Sequence, residues 1–437
     1  MTKRYEARPA ARVAGELTVP GDKSISHRAL MLAGIAEGRS EVRGFLPSED
    51  CLATLGAMRA LGVSIERPAS DRVLVDGAGL RGLAAPAGSL DMGNAGTAIR
   101  LFTGLLCAQS FDSTLIGDAS LMKRPMERVA QPLRAMGADV RTTDGTPPVR
   151  LFGGRRLHGI DYPLPVASAQ VKSAILLAGL YAEGATTVVS PAISRDHSER
   201  MLRGFGAAVE VDGLRVRLEP APRLEAQRLE VPGDFSSAAF FIVAGLIAAD
   251  AAGLLIRNVG VNPSRTGLLA ILRAMGGRIE VLDERERASE PVADLRVYRS
   301  DLRGIEVPKD WVPLAIDELP VLFVAAACAH GETVVTGAEE LRVKESDRIA
   351  AMSAGLRAIG VEHEALPDGM RIAGAAGAPL GGGSVDSHDD HRVAMSFAVA
   401  SLGARAPIEI RDVANVATSF PGFVERARAI GIDVRES

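Results

Sequence analysis

The sequence has few aromatic residues: one Trp, four Tyr and 12 Phe amount to 4% of 437 residues. That argues against a stacking platform for single-stranded nucleic acid. It also has no excess of positive charge. Fifty Lys and Arg stand against 54 Asp and Glu, a formal net charge of -4. A general polyanion-binding surface is excluded on that balance, so any anion site must be a local cluster. The three cysteines, Cys51, Cys107 and Cys328, are far apart and form no C-x-x-C pair. This fits reduced thiols of a cytoplasmic protein better than disulfides. No stretch reaches the roughly 18 apolar residues of a membrane span. The longest apolar run, Ala238 to Ala249, reads as a buried helix. The start M-T-K-R-Y-E-A-R-P is basic with no apolar region behind it, and no secretory signal is read there. A chain that is 47% hydrophobic and 24% charged is globular, and its length suits two domains of about 200 residues.

Glycine, by contrast, is abundant, with 46 residues. Six of them mark an internal repeat. The copies are L-G-A-M-R-A-L-G-V-S-I-E (55–66), P-L-R-A-M-G-A-D-V-R (132–141), M-L-R-G-F-G-A-A-V-E-V (201–211), I-L-R-A-M-G-G-R-I-E-V (271–281), G-L-R-A-I-G-V-E-H-E (355–364) and R-A-R-A-I-G-I-D-V-R (426–435). Each reads as a short helix, a glycine and a strand. Gly62, Gly137, Gly206, Gly276, Gly360 and Gly431 sit where a helix needs a left-handed cap. Between the copies run apolar helices over about 24–37, 96–109, 168–183, 236–250, 316–330 and 389–402, each apolar nearly all round and so expected to be buried. Three such units per half imply two similar domains of mixed sheet around buried helices.

The starts of these helices are polar: K-S-I-S-H-R (23–28), N-A-G-T-A-I-R (94–100), S-A-Q-V-K-S (168–173), D-F-S-S (234–237), I-D-E-L-P (316–320) and H-D-D-H-R (388–392). Unpaired N–H groups and partial positive charge at helix starts suit phosphate and carboxylate. Ordinary capping by Ser, Thr, Asp and Asn is the simpler explanation for any one of them. It leaves Lys23, Arg28, Arg100, Lys172 and Arg392 beside the caps unexplained.

Four segments stand out together: P-G-D-K-S-I-S-H-R (20–28), G-N-A-G-T-A-I-R (93–100), G-D-A-S-L-M-K-R-P-M (117–126) and L-R-V-K-E-S-D-R (341–348). With S-A-Q-V-K-S and D-D-H-R, they resemble, in order and from about residue 8 to the C-terminus, the 5-enolpyruvylshikimate-3-phosphate synthase (3-phosphoshikimate 1-carboxyvinyltransferase) family. The resemblance implies an α/β (α+β) fold. Two similar domains would each hold three βαβαββ units with buried helices, an inside-out α/β barrel. One domain would be discontinuous, 1–22 with 235–437. The other, 23–234, would be inserted into it, with the active site in the cleft between them. The implied reaction joins phosphoenolpyruvate to the 5-hydroxyl of shikimate 3-phosphate through a tetrahedral intermediate and releases phosphate. It needs cations for two phosphates and two carboxylates, excluded water, and groups that move protons on either side.

By motif, the resemblance implies that Lys23 touches both substrates and shuttles protons. Ser24, Arg28, Ser168, Ala169, Gln170, Arg195, Asp317 and Lys344 would bind shikimate 3-phosphate. Asn94, Gly96, Arg124, Gln170, Arg348 and Arg392 would bind phosphoenolpyruvate. Asp317 is the implied acceptor of the hydroxyl proton and Glu345 the donor or relay. Simpler roles stand beside several of these. Arg100 would hold a loop, Arg195 would pair with Glu199, Asp317 would cap a helix, and His391 would be structural or catalytic. Thr418 in A-T-S-F-P replaces a Lys common in the family, and Leu101 replaces a Pro, so the loop around it would pack differently. Gly96 would leave room for glyphosate, making the protein a glyphosate target.

The related UDP-N-acetylglucosamine enolpyruvyl transferases have Lys-Asn where this chain has Lys23-Ser24, and a Cys near Asp118–Leu121 that is missing here. The RNA 3'-phosphate cyclases need a covalent His, for which His391 is the nearest candidate. A non-catalytic repeat scaffold would spread polar residues over one surface rather than collect them at six helix starts. No metal and no organic cofactor are expected. His388-Asp389-Asp390-His391 lacks a third spaced ligand. The implied partners are the two small substrates, with no nucleic acid and no membrane, and a monomer.

Overall fold

The longest apolar run forms the helix Phe235–Ala248, in which every residue but Ile247 is buried. Asp234 starts it by accepting from the N–H groups of Ser236 and Ser237. Burying Phe235, Phe240 and Phe241 contributes roughly 1.5–3 kcal/mol each. Around this helix lies one of two compact units into which the computed structural model, describing residues 3–437, divides. The first unit holds the segment ending at Pro20, Pro232–Arg285 and Pro291–Ser437; the second holds Gly21–Val231 and Glu286–Glu290. Each has its own apolar core.

Both units are mixed α/β. In the second, three four-stranded sheets share one pattern. Arg228–Glu230 runs parallel to Glu37–Arg43, which pairs antiparallel with Arg72–Ala78, and that with Ser64–Ala69. Leu90–Asp91, Ser113–Ile116, Thr146–Phe152 and Asp139–Thr143 repeat it, as do Asp161–Pro163, Thr186–Val189, Arg215–Leu218 and Val209–Asp212. In the first unit the earliest strand, Arg4–Arg8, pairs antiparallel with Ile408–Arg411 and with Asp433–Glu436. Val13–Thr18 runs parallel to Ala249–Gly260.

The repeat glycines behave as the sequence reading expects. All six end their helices in the left-handed region, with φ from 75° at Gly360 to 104° at Gly431. A side chain at these points would clash with its own backbone. All six apolar helices lie close to their expected positions: Lys23–Gly34, Gly96–Leu106, Ala169–Gly179, Phe235–Ala248, Leu319–Cys328 and His391–Ala400. Ahead of the fifth, and outside the expected 316–330, lies a short helix, Val312–Ala315. The helical stretch Lys309–Ala315 meets Leu319–Cys328 at a bend of 118°. Pro320 lacks an N–H and tolerates only the first turn of a helix, so a new helix must begin just before it. Leu101 differs from expectation. It is not in a loop but fully buried within Gly96–Leu106. Among the described residues no single helix is long and apolar enough to cross a membrane.

Candidate active site

In the second unit the polar residues gather at three helix starts. Asp22 caps Lys23–Gly34 by accepting from the Ile25 N–H at 2.9 Å, and leaves Lys23 at the first position. The Lys23 Nζ donates to Asp50 Oδ2 at 2.9 Å. One turn on, Arg28 is buried. Its Nε donates to Ser198 Oγ (2.7 Å), and its two terminal nitrogens to the Ser24 carbonyl (2.9 Å) and Ser173 Oγ (2.8 Å). These are neutral acceptors. Burial draws the guanidinium down to about 10, because the attraction of Glu199 and Asp22 only partly offsets desolvation.

Ser168 caps Ala169–Gly179 through the Val171 N–H. Gln170 Nε2 donates to Thr97 Oγ1 at 3.1 Å, tying this helix start to the next one. There Asn94 Oδ1 accepts from Arg124 at 2.7 Å, while Asn94 Nδ2 donates to Asp118 Oδ2 at 2.7 Å. A side chain at Gly96 would crowd the ends of two arginines. A Cβ would lie 2.8 Å from Arg124 Nη1 and 3.0 Å from Arg100 Nη1. Arg100 is buried and donates to the Gly96 and Pro125 carbonyls at 3.0 and 3.4 Å, so it holds the helix start in place. Arg195 lies half-buried just before the helix His197–Gly204. Glu199 Oε1, offered in the sequence as its partner, is held by Lys172 Nζ at 2.6 Å.

In the first unit the candidates converge on one carboxylate. Asp317 lies in the break between the two short helices, one residue before the Glu318 that begins Leu319–Cys328. Lys344 Nζ is 3.5 Å from its Oδ1, Arg348 3.4 Å from the same atom, and Arg392 3.8 Å from Oδ2. Arg392 also donates to the Asp317 carbonyl at 2.9 Å. Arg348, its side chain only 1% exposed, also donates to Glu345 Oε2 at 2.6 Å and to Asp390 Oδ2 at 2.8 Å. Burial disfavours its charge, but Asp390, Glu345 and Asp317 together outweigh burial and raise its pKa. Asp390 is fully buried, which by itself would raise its pKa, yet Arg348 holds it below the ordinary carboxylate value. Asp390 also caps His391–Ala400, with His391 buried and Arg392 half-buried at its start. Thr418 donates to the Asn415 carbonyl at 2.7 Å. Among the described residues no group of three or more His, Cys, Asp and Glu could hold a metal ion.

Several members of these networks escaped the sequence reading. Asp50, Ser198 and Ser173 hold Lys23 and Arg28. Only Ser173 lay inside a quoted motif, and nothing in S-E-D-C or D-H-S-E marks the other two. In the first unit Arg265 donates to Asp234 Oδ1 (2.9 Å) and Ser236 Oγ (2.7 Å), and Ser236 Oγ donates to the buried Glu318. Arg392 lies 3.7 Å from the same Glu318 oxygen.

His27 shows what burial does beside these cations. Its Nδ1 lies 2.7 Å from Thr54 Oγ1, and desolvation, then Lys23 and Arg28, push its pKa down to about 3. The folded protein keeps it neutral while the unfolded chain protonates below about 6.5. The unfolded state therefore binds more protons between pH 6.5 and 3, and stability falls as pH drops through that window, by at most about 5 kcal/mol. Urea unfolding followed by circular dichroism at pH 7, 5 and 4 should show a shallower fall in His27→Gln than in the parent. Equal slopes would rule His27 out as the cause.

Comparison with known proteins agrees on one family. The pattern of EPSP synthase (3-phosphoshikimate 1-carboxyvinyltransferase) matches residues 7–427. A 3-phosphoshikimate 1-carboxyvinyltransferase from Methylococcus capsulatus is 58% identical over 434 residues, 99% of this chain and 98% of that protein. One from Acidithiobacillus ferrooxidans is 57% identical over 429 residues, 98% of each. The solved EPSP synthase of Acinetobacter baumannii superposes with a TM-score of 0.90 at 51% identity, covering 100% of both chains.

Proposed function

The chain belongs to the EPSP synthase (3-phosphoshikimate 1-carboxyvinyltransferase) family, and on that premise we propose how its residues divide the work. It is a transferase of the shikimate pathway, in aromatic amino acid biosynthesis. It moves the 1-carboxyvinyl group of phosphoenolpyruvate to shikimate 3-phosphate and releases phosphate. In our reading the 5-hydroxyl adds to the enol carbon as the methylene carbon is protonated, and the tetrahedral intermediate then gives up a methyl proton and expels phosphate, restoring the double bond. Asp317 takes the hydroxyl proton, and Glu345 with Lys23 delivers one to the methylene carbon. Lys23, Ser24, Arg28, Ser168, Ala169, Gln170, Arg195, Asp317 and Lys344 hold shikimate 3-phosphate. Asn94, Gly96, Arg124, Arg348 and Arg392, with Lys23 and Gln170, hold phosphoenolpyruvate. The observation that carries this reading is the Asp317 carboxylate with Lys344, Arg348 and Arg392 within 3.8 Å. It joins a base to cations that suit anionic substrates. We further read each unit as three βαβαββ repeats in an inside-out α/β barrel, and the enzyme as a cytoplasmic monomer that needs no metal or organic cofactor.

The test is phosphate release from phosphoenolpyruvate, with shikimate 3-phosphate or UDP-N-acetylglucosamine as acceptor and with chelator present. Release with shikimate 3-phosphate alone is expected. Release with only the sugar nucleotide would move the chain to the sister chemistry.

Gly96 gives a sharper expectation. An added methyl must push the Arg124 guanidinium, 2.8 Å from where it would sit, away from its place. Gly96→Ala should raise the KM for phosphoenolpyruvate about tenfold, roughly the loss of one hydrogen bond to a charged group, and leave that for shikimate 3-phosphate unchanged. The same substitution should weaken inhibition by glyphosate, which is expected to inhibit the parent at millimolar concentration. Equal KM values for parent and variant would remove Arg124 from the phosphoenolpyruvate site.

A further inference from the structure

The second unit contains a buried ion pair to which the proposed chemistry gives no role. Lys172 Nζ and Glu199 Oε1 are 2.6 Å apart, with side chains 5% and 2% exposed. Taking two charges out of water is costly, and apolar residues of the same size would brace two helices as well or better. The pair's neighbours give it a different meaning. Lys172 Nζ also reaches the Ser194 carbonyl at 3.4 Å, the peptide that leads directly into Arg195. Glu199 follows Ser198, whose hydroxyl is 2.7 Å from Ser173 Oγ and accepts from Arg28 at 2.7 Å. Ser173 Oγ in turn donates to the Ala169 carbonyl at 2.6 Å, in the first turn of the helix that Ser168 caps. The pair thus joins three places: the Ser194–Arg195 peptide, the Ser168–Gln170 helix start and the Arg28 guanidinium. Arg28 itself meets hydroxyls and a carbonyl there, and Glu199 is the carboxylate whose charge most favours its guanidinium.

We propose that Lys172 and Glu199 are positioning residues that set Arg195 and Arg28 for the phosphate of shikimate 3-phosphate. Lys172 fixes the peptide carrying Arg195, and Glu199 fixes Lys172 and the turn carrying Ser198. The inference rests on the reading that Arg28 and Arg195 bind that phosphate.

The double variant Lys172→Met with Glu199→Leu removes both charges and keeps the volume, so no lone charge is left buried. Displacing two phosphate ligands should raise the KM for shikimate 3-phosphate about tenfold to a hundredfold, with kcat and the KM for phosphoenolpyruvate within about threefold. Lys172→Arg, which keeps the pair, should return most of the loss. Arg195→Ala is measured alongside. If it raises the KM for shikimate 3-phosphate while the folded double variant does not, the positioning role is overturned and the site reading stands. If Arg195→Ala leaves that KM unchanged, the site reading fails and the inference with it. Should the double variant not fold, Glu199→Gln keeps the shape without the charge. The same selective rise is expected of it, and an unchanged KM overturns the proposal.

Discussion

Asp317→Asn is expected to lower kcat by about 10²–10⁴-fold, the usual worth of a positioned proton acceptor. The amide is the same size, and the backbone carbonyl of residue 317 still receives its bond from Arg392. The fold should therefore survive, as judged by an unchanged circular dichroism melt. The KM values give the loss a signature. Asp317 shares Lys344, Arg348 and Arg392 with whatever anions approach them. Neutralising it removes a competitor for those cations, so phosphoenolpyruvate should bind no more weakly, and an amide that still meets the 5-hydroxyl should leave the KM for shikimate 3-phosphate within about threefold. A kcat within about threefold of the parent would sink the assignment of Asp317 as base. A raised KM with unchanged kcat would leave it a binding residue only.

Arg348→Leu carries the second large effect, and it is on stability. The guanidinium is nearly inaccessible and holds Asp390, Glu345 and Asp317 at 2.8, 2.6 and 3.4 Å. Removing one partner of a buried ion cluster leaves carboxylates without compensation and costs about 3–5 kcal/mol. Arg348→Lys should recover only part, because a point charge cannot bond three carboxylates in the way a planar fork does. The single tryptophan, Trp311, lies in the same unit, so its fluorescence in a denaturant titration reports that unit's unfolding. A midpoint for Arg348→Leu equal to the parent's would show that the cluster adds nothing. The sign with pH follows from Asp390, whose pKa is lowered in the folded protein. Its contribution is present above the ordinary carboxylate value of about 3.8 and is lost as pH falls through the lower folded value.

The parts of this protein that could be read from the chain share a physical feature: they depend on neighbours in sequence. A helix of Ala, Leu and Phe must be buried wherever it lies, and Phe235–Ala248 is. A glycine after a helix allows a left-handed turn, and all six repeat glycines make one. Asp22, Ser168, Asp347 and Asp390 cap helices whose first N–H groups lie two or three residues away. The motif residues Lys23, Arg28, Asn94, Arg124, Gln170, Lys344, Glu345, Arg348 and Arg392 were visible for the same reason, each within a short signature. Pro320 is of the same kind: it sits in the first turn of Leu319–Cys328, within the expected 316–330.

The sequence by itself determined the repeat, the buried helices with their caps and glycine ends, and the set of cations and carboxylates available for anionic chemistry. Tertiary structure alone decided who partners whom. Arg4–Arg8 joins strands about 400 residues further along the chain. Lys172 takes Glu199, which had been offered to Arg195, and Asp50 holds Lys23. Asp390 is claimed by Arg348, which also meets Asp317 from a separate segment. The reason is range. Propensity, capping and backbone strain act over a few residues. A buried charge accepts only the partner that packing brings within about 3 Å, and in water-excluded surroundings being left alone costs several kcal/mol.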